Sequence, residues 1–168
     1  MLYYINVFLI YSVLGYIWEA VINLVLSSKI SNGFFIGPWI PIYGFGACII
    51  IFVMRFIFNR IKVSRFIKII LLFIISSIIL TLMELLGGLF VEYLTGKSYW
   101  DYSSLKFNFG HYIALEISLV WGIMSIVVTY LIKPLLDILI KKIPKYITYI
   151  FLGLVILDVL YTIIKEII

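Results

Sequence analysis

Charge is scarce in this chain of 168 residues. Charged residues make up 12% of it and hydrophobic residues 65%, whereas soluble domains contain about 25% and about 45–50%. This composition excludes an ordinary soluble domain and predicts a polytopic membrane protein. The net charge of +5 does not indicate a nucleic-acid partner, because the basic residues lie between apolar runs and form no patch on a soluble face.

Cysteine and histidine occur once each. The single cysteine, Cys48, excludes a disulfide within the chain. The single histidine, His111, leaves no persuasive set of Ser, His and Asp for nucleophilic catalysis. The motifs G-x-x-x-x-G-K-[ST], H-E-x-x-H and G-x-S-x-G are also absent, so the chain does not hydrolyse ATP itself. We therefore assign no catalytic residue and no cofactor, and we leave the metal unknown.

Apolar runs of about 20 residues predict five spanning helices. Their approximate ranges are 3–26, 40–58, 66–94, 112–132 and 146–164, with a short interfacial helix at 135–143. Segment 33–47 contains two prolines and four glycines, which disfavour a regular helix. The predicted fold is an all-α integral membrane bundle of about five transmembrane helices. It forms a single domain, and its Gly-Pro segment is broken or re-entrant.

Lysine and arginine predict the orientation of the chain in the cell membrane. They concentrate at 55–68 and 133–145, whereas the connectors at 27–33 and 95–111 contain few of them. The two strongly basic regions are therefore expected on the cytoplasmic side. Five spans then place the N-terminus in the cytoplasm and the C-terminus outside. Segments 33–47 and 95–111 fall on the outer side.

The stretch 83–121 is unusually charged for an apolar chain. It contains half of the acidic residues and the only histidine: Glu84, Glu92, Asp101, Glu116 and His111. Glu84, Gly88 and Glu92 lie four residues apart and share one helical stripe. A charge at mid-bilayer costs about 2.5–3.5 kcal/mol on the insertion scale, so these side chains are expected in a wet or hydrogen-bonded cavity. Either they accept backbone N–H groups from 33–47, or they bind an ion, a proton or a cationic substrate.

Other polar residues are predicted to line the same outward-facing cavity. The full set is Glu19, Asn23, Tyr43, Glu84, Glu92, Asp101, Asn108, His111 and Asp158. The predicted structural residues around it are Gly37, Pro38, Pro41, Gly44, Gly46, Gly88 and Trp100. His111, Glu92, Asp101 and Glu116 offer the ligand types of a metal site, but not the spacing of a strong metal motif. The alternative is that His111 is simply an interfacial residue.

Four blocks of the sequence resemble one family of membrane proteins. They are YSVLGYIWE at 11–19, GPWIPIYGFGA at 37–47, E-x-x-x-G-x-x-x-E at 84–92 and WDYS at 100–103. They resemble the ABC-transporter permease family called CmpB-like or type IV. The resemblance implies a small polytopic permease-like protein. The chain departs from the family pattern at Ser31-Asn32-Gly33 and Gly110-His111-Tyr112, where the expected arginines are absent.

The predicted function is a permease-like component that binds a small solute or cation. Five helices are few for a complete pathway, so a homo-oligomer or a separate ATP-binding subunit is expected within the lipid bilayer. One alternative is an intramembrane enzyme acting on a lipid or lipid-linked substrate at the outer leaflet. Asp101, Glu84 or His111 would then be its base or metal ligand. The other is an accessory membrane protein that binds partner helices.

Overall fold

The computed structural model describes residues 1–27 and 34–167, and these are mainly helical. The helices are α1 (Leu2–Ser27), α2 (Pro41–Arg60), α3 (Arg65–Thr95), α4 (Leu115–Val127), α5 (Lys133–Ile140) and α6 (Lys145–Ile167), with a π-helix (Val128–Ile132) between α4 and α5. Two short antiparallel strands, β1 (Asn108–Phe109) and β2 (Ile113–Ala114), form a hairpin. Within these described residues, five helical runs are long and apolar enough to cross a membrane. The predicted all-α membrane class is confirmed.

The fourth span is longer than the sequence pattern predicts. A connector with an interfacial helix was expected after residue 132, but one helical run continues from Leu115 to Ile140. Pro134 cannot donate a backbone hydrogen bond, and its ring would clash with the carbonyl four residues earlier. The π-helix widens the turn just before it, and the Lys133 N–H donates to the Val128 carbonyl. This wider turn admits the proline without ending the helix.

The Gly-Pro segment is non-helical at residues 34–40, whereas its residues 41–47 belong to α2. Helix α2 begins at Pro41, a position where the missing N–H costs nothing. The Ile40 N–H donates to the Ser12 carbonyl at 2.9 Å. Gly44 lies against Ser12 and the backbone of Phe8, where a Cβ atom would collide. These two contacts, one just before α2 and one a turn inside it, hold the start of α2 against α1.

The described chain divides into two compact units. The first contains Met1–Phe45 and Leu139–Ile168. One hydrophobic cluster in it contains the buried residues Leu9, Trp39 and Val155. Buried Thr148 of α6 donates to Asn6 Oδ1 of α1 at 2.6 Å, so one polar bond joins these two helices inside the apolar contact. The single domain of the sequence analysis stays a prediction.

The second unit, Gly46–Ile138, is built on the packing of α3 against α4. The buried side of α3 is a stripe with a spacing of four residues: Leu72, Ser76, Leu80, Glu84 and Gly88. Gly122 of α4 admits the Phe73 ring, and Thr81 of α3 donates to Ser118 of α4 at 2.7 Å. Gly96, whose φ of +67° suits glycine, caps the C-terminal end of α3 after Thr95. These contacts place Glu84 deep in the second unit.

Candidate functional site

Glu84 is the buried acid of the second unit, with 5% of its surface exposed. Its Oε1 accepts a hydrogen bond from the Tyr102 hydroxyl at 2.8 Å, and its Oε2 accepts one from Trp121 Nε1 at 3.0 Å. Three parts of the chain meet at this carboxyl group, namely α3, the loop after it and α4. Both donors are neutral. Within the described part of the chain, no Lys, Arg or His forms an ion pair with Glu84.

Gly88 explains why the loop can dock beside Glu84. It lies one turn further along α3, and the Tyr112 ring covers it so closely that a Cβ atom would collide with the ring. Tyr112 is 3% exposed. Its ring meets Trp100 edge to face at 5.7 Å, and Trp100 Nε1 donates to the Tyr112 carbonyl at 3.4 Å. Gly88, Tyr112 and Trp100 together position the loop on α3.

The loop between α3 and α4 uses its own polar side chains to hold its shape. Asp101 Oδ1 accepts the Ser103 N–H at 2.8 Å, which is an Asx-turn. Asn108 Nδ2 donates to the carbonyls of Ser103 and Leu105 at 2.8 and 2.7 Å. The side-chain and backbone hydrogen bonds from Ser103 hold the pKa of exposed Asp101 below its usual value. Two predicted cavity residues, Asp101 and Asn108, are thus engaged within the loop.

His111 and Glu92 lie at the exposed end of the same region. His111 Nε2 is 3.9 Å from Glu92 Oε2, and their side chains are 45% and 43% exposed. This contact is an ion pair only when the histidine is protonated. Glu116 Oε1 accepts the Phe107 N–H at 3.1 Å. Over residues 1–27 and 34–167, no three His, Cys, Asp or Glu side chains are grouped to hold a metal. The metal set considered from sequence is therefore not assembled.

Asp158 of α6 holds the non-helical segment in the first unit. Its Oδ1 accepts the Ile36 N–H at 3.2 Å, and its Oδ2 accepts the Gly37 N–H at 2.9 Å. Oδ2 also accepts Trp39 Nε1 at 2.8 Å. A fourth, longer bond comes from the Thr162 hydroxyl at 3.3 Å. Successive backbone N–H groups that converge on an anion form a nest, and here the anion is a side chain of the same chain.

Glu19 forms a second polar contact within the first unit. Its Oε1 accepts the Tyr43 hydroxyl at 3.1 Å. The Tyr43 ring lies on Gly15, where a Cβ atom would collide with it. Gly15 and Glu19 are one turn apart on α1, so the same helix face provides the space for the Tyr43 ring and the carboxylate that accepts its hydroxyl. Asn23, one turn further on, is half-buried.

The comparisons with known proteins give one result. The sequence model of the family described as "Putative ABC-transporter type IV" matches residues 6–165. The chain belongs to this family. The predicted resemblance is confirmed, and the family match extends into α6 as far as residue 165 and includes Asp158. No curated protein and no solved structure matches the chain. Membership of the family and five apolar spans identify an ABC-transporter-related, multi-pass membrane protein.

In this family member the predicted site residues fall into two sets. Glu19, Asn23, Tyr43 and Asp158 belong to the first unit, together with Gly37, Pro38, Pro41 and Gly44. Glu84, Glu92, Asp101, Asn108 and His111 belong to the second, together with Gly46, Gly88 and Trp100. Gly46 faces the side chains of Leu80 and Met83. One cavity lined by both sets stays a prediction.

Sequence reasoning missed the partners of Glu84 and Asp158. Tyr102 and Trp121, which donate to Glu84, were not among the predicted site residues. The backbone N–H groups of the Gly-Pro segment, considered as donors to Glu84 and Glu92, donate at Ile36 and Gly37 to Asp158 instead. The signal for Tyr102 was its place in WDYS, a block that the family resemblance had already singled out.

Proposed function

We propose that this chain is a permease-like component of an ABC transporter. It binds a small solute or cation in an outward-facing polar cavity, and Glu84 carries the proposal. Ionisable side chains inside membrane helices are costly, and they commonly mark ion or substrate pathways. Tyr102 and Trp121 lower that cost by hydrogen bonding, but two neutral donors leave the negative charge uncompensated. A bound cation, or a cationic group of a solute, would neutralise it.

A partner is part of this proposal. Five candidate spans are few for a complete pathway. The chain has no P-loop motif, so energy from ATP would come from a separate subunit. Homo-oligomerisation would supply further helices. Positive residues at 55–68 and 133–145 support a cytoplasmic location for those two regions. Because α3 starts in the first of them, the half of α3 that contains Glu84 would then lie toward the outer side.

The test is the retention of a ligand by the purified protein. The protein is extracted into lipid nanodiscs directly from the membranes of the expressing cells, and its mass is measured by native mass spectrometry. Elemental analysis detects bound inorganic ions. We expect a bound small molecule or ion in the wild type and at least a tenfold loss of occupancy in Glu84→Gln. Asp137→Asn is the matched control, since Asp137 is an acid of the same unit already paired with Lys133.

Two outcomes would contradict the permease proposal. One is a wild-type protein that carries neither solute nor ion. The other is a Glu84→Gln variant that keeps its ligand and its helical content. An empty wild-type site would favour an accessory protein that binds partner helices. In that second candidate Asp158 and Glu84 would have a structural role, since each accepts hydrogen bonds from a loop or segment of its own unit.

A further inference from the structure

The corner where α2 turns into α3 carries four cations and no acid. The cations are Arg60, Lys62, Arg65 and Lys68, and no Asp or Glu occurs from residue 20 to residue 83. Within the described part of the chain, none of the four forms an ion pair with a carboxylate. Their positive charge is therefore not neutralised by acids of the second unit.

Aromatic rings and a carbonyl group, rather than acids, hold two of these cations. The Arg65 guanidinium lies over the Tyr130 ring, with Cζ 5.5 Å from the ring centroid. Lys68 Nζ lies 5.1 Å from the centroid of the Phe58 ring and donates to the Phe58 carbonyl at 3.1 Å. The Phe58 and Tyr130 rings contact each other, with centroids 6.3 Å apart. These contacts orient both cations and leave their charges in place.

Arg65 and Lys68 are neighbours on the surface of α3, because residues three apart on a helix share a face. Two like charges at this spacing repel each other. An anion between them would replace that repulsion with attraction. A phosphate group suits both, since arginine offers a planar fork of donors and lysine a compact charge. Arg65 is also the first residue of α3, where the helix dipole adds partial positive charge.

An apolar stripe on α3 begins beside these two cations. Phe66, Ile70, Ile74 and Ile78 lie four residues apart, and all four are exposed. From residue 66 to residue 78 the stripe extends about 18 Å at a rise of 1.5 Å per residue. One leaflet is about 15 Å thick, half of the hydrocarbon core. A free phosphate would use only the cations, whereas a phospholipid would use the cations and the stripe.

We propose that Arg65 and Lys68 bind the headgroup of an anionic phospholipid. Its phosphodiester lies between the two cations, and one acyl chain follows the stripe that begins at Phe66. Arg60 and Lys62 add positive charge around the headgroup. A zwitterionic headgroup brings its own cation, which these four residues would repel. The site shares no residue with the surroundings of Glu84, so the inference does not depend on solute binding.

Native mass spectrometry of the full chain tests the inference. The protein is delipidated in detergent and titrated with dioleoyl phosphatidylglycerol or dioleoyl phosphatidylcholine, which have the same acyl chains. We expect the wild type to bind the anionic lipid about tenfold more tightly or better. Each cation near a membrane surface contributes about fivefold in affinity, so Arg65→Gln combined with Lys68→Gln should weaken that binding about 25-fold. Binding of phosphatidylcholine should not change.

The matched control is Lys97→Gln combined with Lys106→Gln. It removes the same number of charges from the loop after α3, in the same unit. Lys106 resembles Arg65 in lying over an aromatic ring, with Nζ 5.3 Å from the Phe107 centroid. The control should bind phosphatidylglycerol within about twofold of the wild type, because its charges lie far along the chain from the proposed site.

Each outcome decides the inference. Equal binding of the two lipids by the wild type overturns it, and so does wild-type affinity for phosphatidylglycerol in the double variant. An equal loss in the control would show a response to net charge alone and would also overturn the site. Inorganic phosphate is the second probe, and binding as tight as that of phosphatidylglycerol would make this a free-anion site and refute the lipid.

Loss of Lys68 also removes a donor from the Phe58 carbonyl, so circular dichroism checks the helical content of each variant. If the double variant does not fold, Arg65→Gln alone decides, since Arg65 is exposed. It should bind phosphatidylglycerol about fivefold more weakly than the wild type. An unchanged affinity in this variant overturns the inference.

Discussion

Replacing Asp158 should release the non-helical segment 34–40 from α6. Three N–H groups, those of Ile36 and Gly37 and the indole of Trp39, donate to this one carboxylate at 2.8–3.2 Å. A hydrogen bond to a charged group contributes about 1.5–3 kcal/mol, and a buried donor left unpaired costs about 1–3 kcal/mol. Because Asp158 is only half-buried, water can reach part of the site. We expect Asp158→Ala to cost about 3–5 kcal/mol in local opening of the segment.

Asp158→Asn should be much milder. Its amide oxygen can keep the two donors at Gly37 and Trp39, and its NH₂ group then faces the Ile36 N–H. One lost bond of this kind costs about 1–2 kcal/mol. Trp39→Phe removes only the indole donor and leaves both backbone donors in place. Segment 34–40 should therefore be most stable in the wild type, less stable in Asp158→Asn and Trp39→Phe, and least stable in Asp158→Ala.

Hydrogen exchange followed by mass spectrometry measures the local opening of this segment directly, in a peptide that contains residues 34–40. A loss of about 3 kcal/mol corresponds to exchange that is more than a hundredfold faster. Asp137→Asn is the control, because Asp137 pairs with Lys133 in α5 and should leave this peptide unchanged. Wild-type protection in Asp158→Ala would refute the reasoning. Equal acceleration in Ala and Asn would show that charge, rather than the number of acceptors, holds the segment.

Gly88→Ala should lower the free energy of unfolding by about 1–3 kcal/mol, because the added Cβ atom meets the Tyr112 ring. Gly153→Ala is the control, because open space surrounds Gly153, and it should not lower that free energy. Denaturation in detergent compares the two variants. Introduced cysteines should distinguish the proposed orientation, since one at Ser104 should react with an impermeant label from outside and one at Lys62 should not. Reversed labelling would overturn that orientation.

The helices and the broken segment were predictable because they depend on local properties of the chain. Apolar runs near the length of a bilayer indicate spans, and the described part of the chain has five helices that are long and apolar enough. Two prolines and four glycines in 33–47 indicated non-helical backbone, which the described part shows over 34–40. The passage of a helix through Pro134 was not predictable in this way. A proline can end a helix or be tolerated by a wider turn, and sequence does not decide between them.

The partners of the acids were not predictable, because they depend on long-range contacts. Helical periodicity places Glu84 and Asp158 on a face but does not say what lies opposite. Asp158 and Gly37 are 121 positions apart, and no local pattern joins them. Tyr102 and Trp121 have the character of interfacial aromatic residues, so their residue types alone do not predict a buried carboxylate partner. Only the packing of α3 against the loop and α4 shows that they serve a carboxylate.

The length of α3 sets the depths at which its two glutamates lie. With 31 residues, it extends about 46 Å at a rise of 1.5 Å per residue, against a hydrocarbon thickness of about 30 Å. Such a helix must tilt or project beyond the lipid tails. Glu92 lies within the last turn of α3, and the predicted orientation places this turn at the outer headgroups. Glu84 lies about 12 Å deeper, so a charge moving between the two glutamates crosses a large part of one leaflet and would sense the membrane voltage.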